Sequence, residues 1–160
     1  QQTADLSVGT MMLPVSTYLK VKLDRLWDPA GEQKLYDKLL ASVRESPSHR
    51  VIFSGISHGA ALAQAAALKF QMQHEETAVY VVTWNAYRWT DSKGREAAER
   101  YLQERMLHFV LSRRETAQAN RYWDSVTEFP QDLSPMPNPV LLDADTGQFY
   151  KHHDPERGSQ

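Results

Sequence analysis

The chain has 160 residues, which suffices for one hydrophobic core and is short for two. Its 18 basic and 20 acidic residues leave a net charge of −2, so no strong field attracts nucleic acid or an anionic membrane. The absence of cysteine excludes disulfides, thiolate nucleophiles and thiolate metal sites, and we expect neither a metal nor a cofactor. No apolar run approaches the ~18 residues of a membrane span, so we expect no transmembrane segment.

The chain begins at Gln1 without a charged and apolar leader, which suggests a processed chain or part of a longer one. A processed N-terminus would fit a secreted or organellar protein, although the compartment stays open. We expect a single domain over residues 1–160. Within it we expect an arm or loop at 1–17, a core at 18–153 and a tail at 154–160.

The first half of the chain predicts strands and helices in alternation. Residues 18–23 alternate apolar and basic side chains, as a half-buried strand does. Apolar residues at four-residue intervals over 35–43 predict a helix that closes before Pro47. Residues 51–53 form a short, fully apolar strand, and His58–Gln73, rich in alanine and leucine, predicts a buried helix.

The second half continues the alternation. Ala78–Trp84 is apolar on both faces, which suits a central parallel strand. A long amphipathic helix is predicted next from the spacing of Leu102, Met106, Phe109 and Val110. Residues 120–126 predict another strand, 130–139 a proline-rich loop, and 140–150 a hairpin that turns at Asp145-Thr146-Gly147. The pattern predicts an α/β fold with a largely parallel sheet.

One serine lies between a predicted strand and a predicted helix, with glycines two positions to either side. A nucleophilic serine needs a sharp strand-to-helix turn, and Gly55 and Gly59 flank Ser57 as that nucleophile-elbow turn requires. The backbone N–H of His58 could then face a developing oxyanion at the positive end of the helix. The alternative is an ordinary junction in which the glycines serve close packing and Ser57 caps the helix.

The segment "VIFSGISHGAALAQAAAL" resembles the nucleophile segment of class 3 lipases, V-x-V-T-G-H-S-L-G-G-A-L-A. Two further motifs of that family follow in the right order. The motif T-F-G-x-P-R-V-G-D/N corresponds to "TWNAYRWTD", which keeps Thr83, Arg88 and Asp91. The motif D-x-V-P-x-L-P corresponds to "DSVTEFP", which keeps Asp124, Val126 and Pro130.

The resemblance implies an α/β-hydrolase fold, with helices flanking the sheet, and a Ser-Asp-His triad. Ser57 matches the nucleophile and Asp124 matches the acid. The base comes last in such chains, and the histidines downstream of Asp124 are His152 and His153. We favour His153 slightly over His152.

The sequence departs from the family around these motifs. The residues flanking Ser57 are Ile56 and His58 where the family has His and Leu, and Asn85 and Tyr87 replace Gly and Pro. Asn tolerates a left-handed backbone, so we expect Asn85 to keep its turn, whereas Tyr87 cannot imitate proline.

We expect the fold to be truncated before the nucleophile strand and to lack the lid and the R-G-T segment that carries the second oxyanion donor in the family. The candidates for that donor are Thr10, next to Gly9, and the loop around Asp24–Arg25.

Two functions follow. The first is a serine hydrolase that acts on carboxylic esters, with lipid acyl esters as the expected substrates. The second is a retired lipase-like domain that serves as a structural or interaction subunit with protein partners in a larger assembly. Aromatic residues expected to be exposed favour the second: Trp84, Tyr87, Trp89, Tyr122 and Trp123. Neither function involves nucleic acid.

Overall fold

The computed structural model describes residues 3–8, 11–28, 34–46, 48, 50–112, 133–134, 136–137, 139–143 and 146–151. Its strands are β1 (Thr3–Val8), β2 (Met11–Ser16), β3 (Arg50–Ile56), β4 (Ala78–Trp84), β5 (Met106–Ser112), β6 (Val140–Asp143) and β7 (Phe149–Lys151). Its helices are α1 (Thr17–Trp27), α2 (Leu35–Glu45), α3 (His58–Gln73) and α4 (Ser92–Leu102), followed by a 3₁₀ turn at Gln103–Arg105.

The main sheet has five strands in the order β3-β4-β5-β6-β7. The first four run parallel and β7 is antiparallel to β6. Val51 pairs with Val79 and Phe53 with Val81, so the predicted parallel pairing of these two strands is confirmed. The predicted α/β class, with a largely parallel sheet flanked by helices, is confirmed as well.

Helix α3 connects β3 to β4 and packs on one face of the sheet. Its small side chains let it lie close to the strands, and Ala60, Ala61, Ala67 and Phe70 are completely buried. The predicted bounds of this helix are confirmed. None of the helices in the described part of the chain combines the length and the hydropathy that a membrane span needs.

Near the N-terminus the structure corrects two predictions. Residues 3–16, expected to be an arm or loop, include the antiparallel hairpin β1–β2, which buries Leu6, Leu13 and Val15. Residues 18–23, expected to be a strand, lie in helix α1. The apolar and basic alternation fits both structures, since Leu19 and Leu23 are also four positions apart and together line the buried face of a helix.

The predicted long helix through Leu102, Met106 and Val110 is wrong. Helix α4 ends at Leu102, and β5 begins at Met106 and pairs in parallel with β4. The apolar spacing of this region fitted a helical face, but Met106 and Val110 are buried as alternate residues of a strand. Pairing with a strand that is distant in sequence therefore overrode the local pattern.

Three other predictions concern the helix from Leu35, the C-terminal hairpin and the strand at 120–126. The helix from Leu35 ends at Glu45, before Pro47, as expected. The C-terminal hairpin is present as β6–β7, and Gly147 has a positive φ of 70° in its turn. The strand expected at 120–126 lies outside the described residues, as does part of the proline-rich loop.

A chain of buried polar side chains runs between the sheet and its covering layer. The Trp89 indole donates to Gln64 Oε1 at 2.9 Å, and Gln64 Nε2 donates to Thr83 Oγ1 at 2.8 Å. Thr83 Oγ1 lies 3.3 Å from Nδ1 of His108. All four side chains are at most 5% exposed. This series of hydrogen-bonded side chains thus joins β5, β4, α3 and the segment after β4 through groups that are shielded from water.

Burial lowers the pKa of His108 to about 4, although its contact with Thr83 opposes the shift. Between about pH 6.5 and pH 4, His108 is therefore protonated in the unfolded chain and neutral in the folded chain. We predict that stability falls as the pH drops through this window. His108 alone accounts for a loss of about 3 kcal/mol by pH 4.

Urea unfolding of the wild type and of His108→Gln at pH 7 and pH 4.5 measures this effect. The carboxylates titrate in both proteins, so their effect cancels in the comparison. The wild type should lose about 2–3 kcal/mol more than the variant on acidification. Equal losses would show that His108 is not the group responsible.

Candidate active site

Ser57 is the single residue between β3 and α3, at the carboxyl edge of the parallel sheet. Its φ of 54° and ψ of −121° place it in a region that costs a non-glycine residue about 1–3 kcal/mol. The turn is held because Ser57 N–H donates to the Trp84 carbonyl at 2.9 Å, while the Ser57 carbonyl accepts from Ala60 N–H at 3.1 Å. The side chain makes no capping hydrogen bond to α3. Helix capping therefore does not account for this serine.

The two glycines beside the serine differ in their surroundings. A Cβ atom on Gly55 would clash with the Gly59 carbonyl group and would lie 2.8 Å from Ala60 N. A Cβ on Gly59 would meet nothing within 4 Å. The tight turn therefore requires a glycine at position 55, where the strand passes close under the start of the helix.

His58 begins α3, so its backbone N–H has no partner within the helix and lies at the positive end of a helix of 16 residues. Its exposed ring packs against two tyrosines. The ring centroid is 5.6 Å from that of Tyr18 and 5.1 Å from that of Tyr87. The corner formed by Ser57 and the start of α3 at His58 is thus bordered by aromatic side chains.

The segment after β4 forms the neighbouring wall of this corner. Asn85 has a φ of 49°, so the expected left-handed turn is present. Its N–H donates to the Phe109 carbonyl at 2.8 Å, and its Oδ1 accepts from Leu111 N–H at 2.8 Å. These bonds tie the end of β4 to β5.

Tyr87 is 7% exposed and Trp89 is fully buried, so the expectation that both are exposed is wrong. Trp84 is 40% exposed, while Tyr122 and Trp123 lie outside the described residues. Burial raises the pKa of Tyr87 to about 12, and the nearby Ser16 side chain opposes this shift. The Tyr87 hydroxyl nevertheless makes no hydrogen bond within the described part of the chain. It stays protonated at neutral pH.

Of the predicted site residues, the structure describes Ser57, His58, Gly55 and Gly59, and it brings them together in one turn. The others lie outside the described residues: Thr10, Asp124, His152 and His153. The alternative second donor at Asp24–Arg25 is wrong, because these residues lie inside α1, where their N–H groups serve the helix. Within the described residues, no group of three or more histidine or acidic side chains could hold a metal ion.

Sequence reasoning missed the junction between β2 and α1 as part of this corner. Ser16 is buried, its N–H donates to the Trp89 carbonyl at 2.9 Å, and Tyr18 contacts His58. The adjacent Ser16 and Thr17 are residues that favour helix starts, so they carried a usable signal. The apolar and basic alternation that follows outweighed that signal.

Fungal triacylglycerol lipases share this fold. The triacylglyceride lipase of Rhizomucor miehei matches with a TM-score of 0.74 and 14% identity, covering 94% of this chain and 54% of that one. Lipase II from Rhizopus niveus matches with a TM-score of 0.73 and 14% identity, over 92% of this chain and 52% of that one. A triacylglycerol lipase whose catalytic centre is formed by a serine protease triad matches with a TM-score of 0.69 and 15% identity, over 88% and 50%.

These similarities confirm the resemblance to class 3 lipases at the level of the fold. The chain spans about half the length of the solved lipases it matches. No protein-family model and no curated protein sequence matches it.

The two glycines give a matched pair of variants for the turn. We predict that Gly55→Ala lowers the free energy of unfolding by at least about 1–3 kcal/mol, because backbone atoms at the start of α3 would have to move. Gly59→Ala should be neutral or stabilising by up to about 1 kcal/mol, since alanine favours the helix and has room. Urea unfolding of both variants measures the difference. Similar losses in the two would contradict the close approach at Gly55.

Proposed function

We propose that this protein is a serine hydrolase that acts on carboxylic esters, with lipid acyl esters as the favoured substrates. The observation that carries the proposal is the strained backbone of Ser57 in the turn between β3 and α3. A residue kept in such a conformation without a capping role is typical of a functional site. The turn lifts the hydroxyl above the edge of the sheet, where a nucleophile can reach a substrate.

In this proposal Ser57 Oγ attacks the acyl carbon while a histidine takes the hydroxyl proton. His153 is the preferred base and His152 the alternative. The same histidine returns the proton to the departing alcohol, and Asp124 orients the imidazole and stabilises its charged form. Water then attacks the acyl-enzyme by the same route and releases the carboxylic acid.

The oxyanion of the tetrahedral intermediate would accept a hydrogen bond from the backbone N–H of His58. The positive end of α3 favours that negative charge. Thr10 is the proposed second donor, through its N–H and its hydroxyl. Turnover depends strongly on this second donor, since the loss of one donor costs about 10²–10³ in rate.

The aromatic corner supports an apolar acyl group. The rings of Tyr18 and Tyr87 both contact the ring of His58, next to the proposed nucleophile. Tyr18, which is half-exposed, offers apolar surface to an acyl chain beside the reacting carbonyl. The similar solved proteins are triacylglycerol lipases, which supports the choice of lipid esters.

A retired lipase-like domain that binds protein partners is the second candidate. A specific observation favours it: apolar side chains are exposed on one face of the parallel sheet, with Ile52 at 69% and Ile56 at 67%. Parallel sheets are normally covered on both faces. A surface of this kind serves an interaction subunit whether or not Ser57 is reactive.

A fluorophosphonate probe that labels activated serines distinguishes the two functions. We predict that the wild type is labelled on Ser57 and that Ser57→Ala is not labelled. Ser54→Ala is the matched control, because Ser54 is an exposed serine on β3, the strand that leads to Ser57. It should be labelled like the wild type. A folded wild type that is not labelled, and whose hydrolysis of a short activated ester equals that of Ser57→Ala, would overturn the hydrolase proposal.

The triad gives a second prediction. Asp124→Asn should lower kcat by about 10³–10⁴, because the imidazole loses the carboxylate that sets its tautomer. Asp132→Asn is the control from the same region of the chain and should keep kcat within about threefold, as it removes a charge outside the triad. Hydrolysis of a short activated ester measures both. Equal effects of the two variants would remove Asp124 from the mechanism.

A further inference from the structure

The left-handed turn at Asn85 changes the hydrogen bonding between β4 and β5. In a regular parallel pair, a residue donates its N–H to one residue of the neighbouring strand, and its backbone carbonyl accepts from the residue two positions further along that strand. Asn85 N–H donates to the Phe109 carbonyl at 2.8 Å. The regular pattern would therefore have Leu111 N–H donate to the backbone carbonyl of Asn85.

The side chain of Asn85 supplies an acceptor in that place. Its backbone has a φ of 49°, which turns the chain out of the strand direction, and Leu111 N–H donates to Asn85 Oδ1 at 2.8 Å. The amide carbonyl of the side chain thus substitutes for the backbone carbonyl. Hydrogen bonding to β5 thereby extends one residue past Trp84, where β4 ends.

The peptide group between Trp84 and Asn85 links this extension to the strained serine. Its carbonyl accepts from Ser57 N–H at 2.9 Å, and its N–H donates to the Phe109 carbonyl. A peptide group is planar, and its C=O and N–H point in opposite directions. Any rotation of this group away from β5 therefore also moves the carbonyl that holds Ser57.

Ser57 needs such support because its own backbone conformation is unfavourable. A non-glycine residue at a φ of 54° and a ψ of −121° persists when the surrounding structure holds it there. The hydrogen bond from Ser57 N–H to the Trp84 carbonyl is one such constraint. The bond from Leu111 to the Asn85 side chain fixes the residue that follows this carbonyl, at the point where the chain changes direction.

We propose that Asn85 is a positioning residue for Ser57 and acts through the peptide group that it shares with Trp84. This role rests on the proposed hydrolase function, in which Ser57 is the nucleophile. The Asn85 side chain contacts none of the reacting atoms. It keeps the Trp84 carbonyl in place for Ser57 N–H, so that the Ser57 hydroxyl keeps one direction relative to the backbone N–H of His58.

Two properties of the residue at position 85 can be separated by substitution. The first is tolerance of a left-handed backbone, which glycine, asparagine and aspartate share. The second is a side-chain oxygen that accepts from Leu111 N–H, which asparagine and aspartate have and glycine lacks. Asn85→Gly therefore removes the acceptor and keeps the turn, whereas Asn85→Asp keeps both.

The rate at which a fluorophosphonate labels Ser57 measures the effect on the nucleophile, under conditions in which each variant is folded. Asn85→Gly should be labelled about 10–100-fold more slowly than the wild type, because small displacements of a reacting group are costly. Asn85→Asp should stay within about threefold of the wild type. With a short activated ester, Asn85→Gly should lower kcat and leave KM unchanged, since the bond affects the nucleophile and not substrate binding.

Val79→Ala is the control for a loss of stability by itself. Val79 is fully buried near the other end of β4, about 17 Å along the strand from Trp84. Its truncation removes apolar contacts from the core and leaves the peptide group before Asn85 unchanged. Labelling of this variant should stay within about threefold of the wild type, because additivity holds for distant sites.

Amide hydrogen exchange, followed by NMR, reports on the same hydrogen bonds without any reaction at Ser57. In Asn85→Gly the amides of Ser57 and Leu111 should exchange at least about tenfold faster than in the wild type, because both lose local support. The amide of Val81, in the middle of β4, should change less. A general loss of stability accelerates all three amides alike, so the difference between them isolates the local effect. Asn85→Asp should restore the wild-type pattern.

The outcomes separate this proposal from the hydrolase function. Equal labelling of Asn85→Gly and the wild type would overturn the role of Asn85 and leave the hydrolase intact, and so would an Asn85→Asp variant that behaves like Asn85→Gly. A wild type that is not labelled removes the hydrolase function, and the exchange of the Ser57 amide then decides whether Asn85 holds the turn. Should Asn85→Gly fail to fold, unprotected exchange of Leu111 in the wild type would overturn the proposal.

Discussion

The close approach of β3 to the start of α3 is the constraint on which the rest of the site depends. Because Gly55 has no side chain, the strand passes directly beneath the Gly59 carbonyl, and the backbone must reverse at a single residue, Ser57. That reversal forces Ser57 to a positive φ and leaves its hydroxyl free of the helix. It also aims the first N–H of α3 at the same corner. One steric requirement thus sets the position of both the proposed nucleophile and the proposed donor.

The strain at this turn is tolerated because the surrounding structure is held firmly. Ser57 is hydrogen-bonded to the end of β4, and the next residues along β4 are bonded to β5 through Asn85. Behind them, the buried contacts from Trp89 through Gln64 and Thr83 to His108 join the helix to two strands. A buried polar chain of this kind specifies one arrangement, because each displaced group would lose its partner without gaining water.

The two faces of the sheet differ in how far their apolar side chains are buried. One face is closed by α3 and its neighbours, while the other carries exposed apolar side chains up to the edge at β3. The lipases with the same fold are about twice as long as this chain. The chain matches them over about half of their length, and this half includes the turn at Ser57.

Local sequence determined the β3–α3–β4 unit, the helix from Leu35 and the C-terminal hairpin. In each of these, side-chain spacing, glycine positions and turn residues all favour one structure. The glycine, serine and glycine at the end of an apolar strand likewise identified the turn of the candidate site. Tertiary structure decided the elements whose patterns fitted two structures.

Leu19 and Leu23 suit a strand or a helix, and Met106 and Val110 suit a helix or a strand. Their state depended on which surface of the core they met. The burial of Trp89, the polar chain beneath Thr83 and the exposure of Ile52 could not be read from sequence. Each depends on which residues distant in sequence become neighbours, and the local sequence pattern does not specify those long-range contacts.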